Sequence, residues 1–307
     1  MQEYLPVVVE LQSGHSSHDY VSLGEGAVWC PITEKLLWID VKRGRIHIYD
    51  AETKTNRTIE VEQPIGTVVP FKKTQVLAAL LKGFCIIDIL TGEIVGKLGT
   101  NPEADNIRTR FNDGKCCPYG NFWIGSMGLF GEPDCGALYC VDKHHVVHKR
   151  LETVSISNGI CWSLDAKTMY YIDTPRMAVD AFDYDGTTAT IVNRRICIKI
   201  PKEMGMPDGC CLDSHGKIWI AMWQGGMVSR FCPISAACLS TYKLPCTLVT
   251  SVAFGGKSLD QLYITTASCE LSGDERREQP LAGSLFRIDF ASTDIRGVPA
   301  GVYEDCM

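Results

Sequence analysis

Much that would place a chain quickly is missing from these 307 residues. There is no basic run, and acids outnumber lysine plus arginine 36 to 30, a net charge of −6. Nucleic acid calls for a basic face, so no nucleic-acid partner is expected. No apolar stretch approaches the roughly 18 residues that cross a bilayer, so no membrane partner is expected either. The opening MQEYLPVVVELQSG has no basic start, long apolar centre or small-residue cleavage site; it reads as a strand rather than a secretory leader. No C-x-x-C pair and no G-x-S-x-G elbow occur, which argues against a structural zinc knot and an α/β-type serine hydrolase. Gly255-Gly256 reads as a hairpin turn, with no helix behind it to make a phosphate loop. Convincing amphipathic helices are also absent.

Cysteine, by contrast, is plentiful at fifteen. Many fall in apolar strand positions (Cys116, Cys117, Cys161, Cys210, Cys211), where a thiol is a small buried hydrophobe. Free thiols in a reducing cytosol are expected, and hence a cytoplasmic protein. The histidines of KHHVVHK (His144, His145, His148) and the pair His15 and His18 read as solvated residues rather than metal clips.

What the chain has in place of these signals is a repeat. Aromatic-rich strands recur at Trp38, Trp123, Tyr171, Trp219 and Tyr263, with a weaker copy near Leu80, in steps of 42 to 48 residues. Each unit reads as apolar strand, polar turn and aromatic strand, as in GEGAVWCPITEKLLWID and SNGICWSLDAKTMYYID. Six such units predict an all-β, six-bladed β-propeller forming a single domain over residues 1–307. A pair of β-sandwiches would not show this period.

Three units open on an oxygen-bearing side chain beside glycine: Glu25 in Gly-Glu-Gly, Asn158 in Ser-Asn-Gly and Asp208 in Pro-Asp-Gly. A fourth, Asn112-Asp113-Gly114, follows the same design. Taken singly these are turn dipeptides. At equivalent phases of a propeller repeat they converge on the central channel. Two carboxylates and an amide form a hard-oxygen set suited to one divalent metal ion: calcium, magnesium or manganese, with zinc tolerated. Three protein ligands would leave positions for water and substrate.

The ordered motifs LGEGAVW, RFNDGK, WIGSM, ISNGICWS, YYID, PDGCCLD, GKIWIA, TSVAFGG and QPLAGSLFRI, spread from Leu23 to Tyr303, resemble the senescence-marker-protein, gluconolactonase and luciferin-regenerating family, its regucalcin branch above all. The resemblance implies a six-bladed propeller with one divalent metal in the channel, held by Glu25, Asn158 and Asp208. It also implies that Arg110 and Asn112, in the R-x-N-D-G motif, hold substrate oxygens. The activity implied is hydrolysis of a small-molecule lactone or related ester, with metal polarising the carbonyl and Asp208 as general base. Asp113 reads equally as a site residue or as a cap on its own turn.

One stretch departs from that pattern. Where sugar lactonases of the family carry substrate-binding acids, this chain has Leu129, Phe130, Gly131 and Glu132. Phe130 aligns with the family's glutamate and cannot hydrogen-bond a sugar, although Glu132 stands nearby. A less polar lactone, or an aromatic or organophosphate-like ester of the luciferin-regenerating kind, gains from this. A calcium-binding propeller without enzymatic activity is the remaining alternative. The charged segment from Ser268 to Gly283 reads as a solvated face, or as a lid.

Overall fold

Six four-stranded antiparallel sheets make up the computed structural model, which describes residues 5–9 and 21–306. His15, His18 and most of the N-terminal strand expectation lie outside the described residues. The innermost strands are Gly24–Cys30, Ile65–Lys72, Thr109–Cys116, Ser157–Trp162, Met206–Leu212 and Val249–Gly255. Each touches the innermost strand on either side, so the six close a ring around a central channel. The fold is the six-bladed propeller that the repeat predicts.

Burial explains the composition of each strand. The innermost strands are the most deeply buried, and Gly24–Cys30, Ser157–Trp162 and Val249–Gly255 are buried at every position. The outermost strands, such as Thr55–Glu60 and Cys238–Lys243, are mostly exposed and carry polar or charged side chains. That protects a free edge against pairing with another chain.

The aromatic markers all lie on the second strand of a blade, and Trp38, Trp123, Tyr171, Trp219 and Tyr263 are at most 1% exposed. They do not share one register: Trp123 pairs with Lys115, one residue past the position where Tyr171 pairs with Ile160. The period therefore marks the strand rather than a fixed site within it.

The apolar side chains gather into six clusters, one at each blade–blade interface. Val28, Leu37 and Ile46 meet Val68, Val76 and Ile87 between the first two blades. Trp219 and Val228 meet Leu262 and Ile288 between the fifth and sixth. A blade buries its faces only against its neighbours, so the ring is stable as a whole or not at all. The last blade is completed by Val7–Val8, which pairs with Phe286 and Arg287 and so joins the two ends of the chain.

Two features depart from the sequence reading. Ser268 to Gly283 contains a short helix, Gly273–Glu278, started by a capping box between Ser272 and Glu275. The S-x-x-E spacing carries that signal. In addition, residues 296–306 strap the face of the propeller away from the strand starts. Gly297 bridges to Asp213, Tyr303 N–H donates to the Pro70 carbonyl, and the Tyr303 hydroxyl donates to the Asp142 carbonyl. Gly301 passes so close to Cys116 that a Cβ there would sit 2.5 Å from its carbonyl oxygen.

Because stability resides at the interfaces, Leu262→Ala, at a fully buried position, is expected to cost about 2–5 kcal/mol. Lys243→Ala, on an exposed outermost strand, is expected to change stability by less than about 0.5 kcal/mol. Denaturant midpoints of the two variants check both values.

Candidate active site

Every innermost strand carries a register shift near its start, and in four blades the shift has the same form. Three steps along the inner strand face two along its partner: from Glu25 to Val28, Phe111 to Gly114, Ser157 to Ile160, and Pro207 to Cys210. Such a bulge turns side chains off the regular alternation. Asn112, Asp113, Asn158 and Asp208 lie inside these bulges, and Glu25 stands at the edge of one. The glycine beside each acid now has a reason. Gly26 adopts φ +59°, and a Cβ on Gly159 would lie 2.7 Å from the Asp208 carbonyl oxygen. Only glycine lets neighbouring inner strands approach so closely.

The following amide also serves each acid. Gly26 N–H donates to Glu25 Oε2 (2.9 Å), Gly114 N–H to Asp113 Oδ1 (2.8 Å), and the Gly209 amide to Asp208. Incoming linkers are pinned by the aspartates that end the second strands. Asp40 accepts from the amides of Ser22 and Leu23, and Asp173 from those of Ser155 and Ile156. The aspartates of LLWID and YYID thus set where Glu25 and Asn158 begin their strands.

A hydrogen-bonded chain runs across three blades. Arg110 Nη1 donates to Asn112 Oδ1 (2.6 Å), and Asn112 Nδ2 donates to Asn158 Oδ1 (2.9 Å) and to the Ser157 carbonyl (2.8 Å). Asn158 Nδ2 donates in turn to Thr174 Oγ1 (2.7 Å), whose own proton goes to the Pro207 carbonyl (2.8 Å). With its proton committed to a carbonyl, the Thr174 hydroxyl can only accept from Asn158. This fixes which end of the amide is oxygen. Thr174 is the member of this chain that motif reading misses, because it acts from the turn after the second strand.

Electrostatically the site is an acid cluster short of cations. Burial, followed by the field of Asp113, lifts Glu25 to about 8. Burial and then the fields of Glu25 and Asp113 put Asp208 well above the usual carboxylate range. Burial raises Asp113 too, against the pull of Lys115. Arg110 is drawn down by burial, while Glu25 and Asp208 favour its charge.

Asp208 Oδ1 is buried without a hydrogen-bond partner. An orphaned carboxylate oxygen is costly, and a cation would satisfy it. Among the described residues no three His, Cys, Asp or Glu side chains form a metal-binding group; the oxygens here are two carboxylates and an amide. That donor set, with its unmet negative charge, fits a hard divalent cation.

The loop after Gly128 lies at the same end of the propeller, since Gly128 pairs with Thr109 at the start of the inner strand. Phe130 is 92% exposed and Ile107, on the adjoining linker, 88%. Phe130 therefore does not pack beneath its own loop. Glu132 is turned back on that loop, where its Oε2 accepts from Phe130 N–H (3.0 Å). His148 pairs with Asp142 rather than with His144.

The raised carboxyls have a consequence for pH. Their native pKa values exceed the unfolded ones, so above the ordinary carboxylate range the native state retains protons that the unfolded chain has released. Stability then falls as pH rises. For Glu25 the window runs from 4.5 to about 8. In chelator, the melting temperature is expected to fall between pH ~5 and ~8, and Glu25→Gln to flatten that slope. Thr174→Val, which frees the Asn158 amide, is expected to weaken divalent-cation binding about 10-fold or more, as loss of an outer hydrogen bond does; calorimetric titration measures it.

The comparisons agree with the motifs. The SMP-30/Gluconolactonase/LRE-like region model matches residues 23–268. Regucalcin of Danio rerio is 36% identical over 92% of this chain and 94% of its own length. A Bacillus subtilis (strain 168) protein provisionally named sugar lactone lactonase YvrE is 32% identical over 90% of this chain and 94% of its own. The solved structure of a calcium-binding regucalcin from Agrobacterium tumefaciens str. C58 superposes with a TM-score of 0.89 at 25% identity, covering 98% of each chain. By fold, motif order and sequence, the chain belongs to the SMP-30/gluconolactonase/LRE-like family.

Proposed function

We propose that this protein is a divalent-metal-dependent lactone hydrolase of the gluconolactonase and regucalcin type. The observation that carries this reading is the buried, unpartnered Oδ1 of Asp208 beside Glu25 and Asn158. Those three residues would hold one cation. Bound there, it would supply Lewis acidity toward a lactone carbonyl and lower the pKa of water.

The rest of the chemistry belongs to the chain. Asp208, as general base, takes a proton from the water that attacks the carbonyl carbon. Arg110, aimed by Asn112, donates to the substrate's carbonyl or hydroxyl oxygen as negative charge grows there. The ring C–O bond then breaks, and the leaving alkoxide recovers the proton from Asp208. Water and lactone yield one hydroxy acid, and Asp208 returns to its starting state. The lactonase name of the bacterial relative supports this direction.

The rim favours a second reading of the substrate. Phe130, Ile107 and Leu129 offer an apolar edge in place of hydrogen-bonding groups, and Glu132 is occupied by its own loop. An aromatic lactone or ester suits that edge better than a polyhydroxylated one. A non-enzymatic calcium-binding role would still use Asn112, which orients Asn158, but leaves Arg110 without a substrate to meet.

The test is pH-stat hydrolysis of glucono-1,5-lactone and dihydrocoumarin by chelated protein restored with calcium, magnesium, manganese or zinc. Activity is expected to require metal and to fall about 10²-fold or more in Asp208→Asn, within the range of general-base loss. Phe130→Ala is expected to lower kcat/KM for dihydrocoumarin about 10-fold while sparing glucono-1,5-lactone, the scale of one lost apolar contact. No rate above background with any metal would remove the hydrolase reading.

A further inference from the structure

The channel has a second end, and a separate cavity of about 430 Å³ occupies it. Its walls are the later residues of the inner strands, among them Trp29, Cys161, Trp162, Cys211 and Phe254, and it is closed across by the strap at Val298–Val302. None of the oxygens of the acid cluster lines it. Interiors are close-packed, with few voids larger than a water molecule. A space of this size falls in the range of small-molecule sites.

Its charge is as informative as its volume. Of all the lining residues, only Lys115 and Glu304 are charged. Glu304 is exposed and, with Pro118, marks the rim toward solvent. Lys115 is half-buried, and its Nζ donates to the Cys210 carbonyl. An ammonium has three N–H donors, and this one also feels Asp113, two residues upstream. Lys115 brings the positive charge to a largely apolar lining, and with one of its three N–H donors given to the Cys210 carbonyl, an anion entering the chamber would pair with it. The acidic rim and basic interior also orient a ligand: its anionic end goes inward.

We propose that this rear cavity is a binding site for a small amphiphilic monocarboxylate. Its carboxylate meets Lys115, and its apolar body lies against Trp29, Trp162 and Phe254. A carboxylate is favoured over a phosphate because a single cation lines the chamber. No oxygen of the acid cluster lines the site, and although Lys115 also acts on Glu25 and Asp113, octanoate binding is read without metal or turnover, so its failure is distinguishable from failure of the hydrolase reading.

Octanoate is the probe and 1-octanol its uncharged counterpart, followed by calorimetry and by the fluorescence of Trp29 and Trp162. Octanoate is expected to bind one per chain and to change the tryptophan emission. 1-Octanol should bind about tenfold or more weakly, the scale of a hydrogen bond to a charged group. Lys115→Met should remove that difference, and Arg110→Ala, at the other end of the channel, should leave octanoate affinity unchanged. Ala300→Phe, which fills the chamber from the strap and leaves the ammonium alone, should abolish binding, so the test holds even where Lys115→Met fails to fold. Equal affinity for octanoate and 1-octanol, no octanoate binding, or binding that Arg110→Ala removes and Ala300→Phe spares would each overturn the proposal.

Discussion

Burial of three carboxyl groups, sharpened by the mutual repulsion of Glu25 with Asp113 and Asp208, is what the rest of the channel must accommodate. Glu25, Asp113 and Asp208 come from three blades and share a low-dielectric space in which Arg110 and Lys115 are the cations acting on them. Left alone, such a cluster would push the inner strands apart or bind protons, and its pKa values, raised first by burial, reflect the second response. The ring resists the first because six apolar clusters, spread evenly around it, hold neighbouring blades together. Stability is thus kept at the interfaces, and the axis is free to be electrostatically poor. Sites of function characteristically break local rules that the surrounding fold can tolerate.

That division of labour explains why so much could be read from the chain. Strand period and burial follow from the same alternation of apolar and polar residues, so the six-blade count is visible in the spacing of Trp38, Trp123, Tyr171, Trp219 and Tyr263. The gathering of Glu25, Asn158 and Asp208 is visible too, because each stands beside a glycine at one phase of the repeat. Glycine there has a steric reason, the close approach of inner strands, so the dipeptide is more than a turn.

Other features were not legible, for identifiable physical reasons. A bulge is a matter of pairing and leaves no mark on a single strand, although it decides that Asn112 and Asp208 face inward. Thr174 acts on Asn158 from across a hairpin, and nothing in its own neighbourhood announces that partner. The strap at 296–306 obeys no repeat; it is fixed by backbone groups such as those of Pro70 and Gly120, which any sequence offers. The rear chamber exists only because that strap crosses the channel. Conversely, the Ser272 capping box was present in the sequence as a helix signal inside a segment that otherwise looks like a charged loop.

The central claim is that the acid cluster is built to exchange protons for a cation. Calcium titrated into chelated protein near pH ~7, in two buffers of different ionisation enthalpy, tests it most directly. One ion per chain, with proton release that shrinks in Glu25→Gln, is the predicted result. Absence of binding, or binding with no proton release in either protein, would contradict the account.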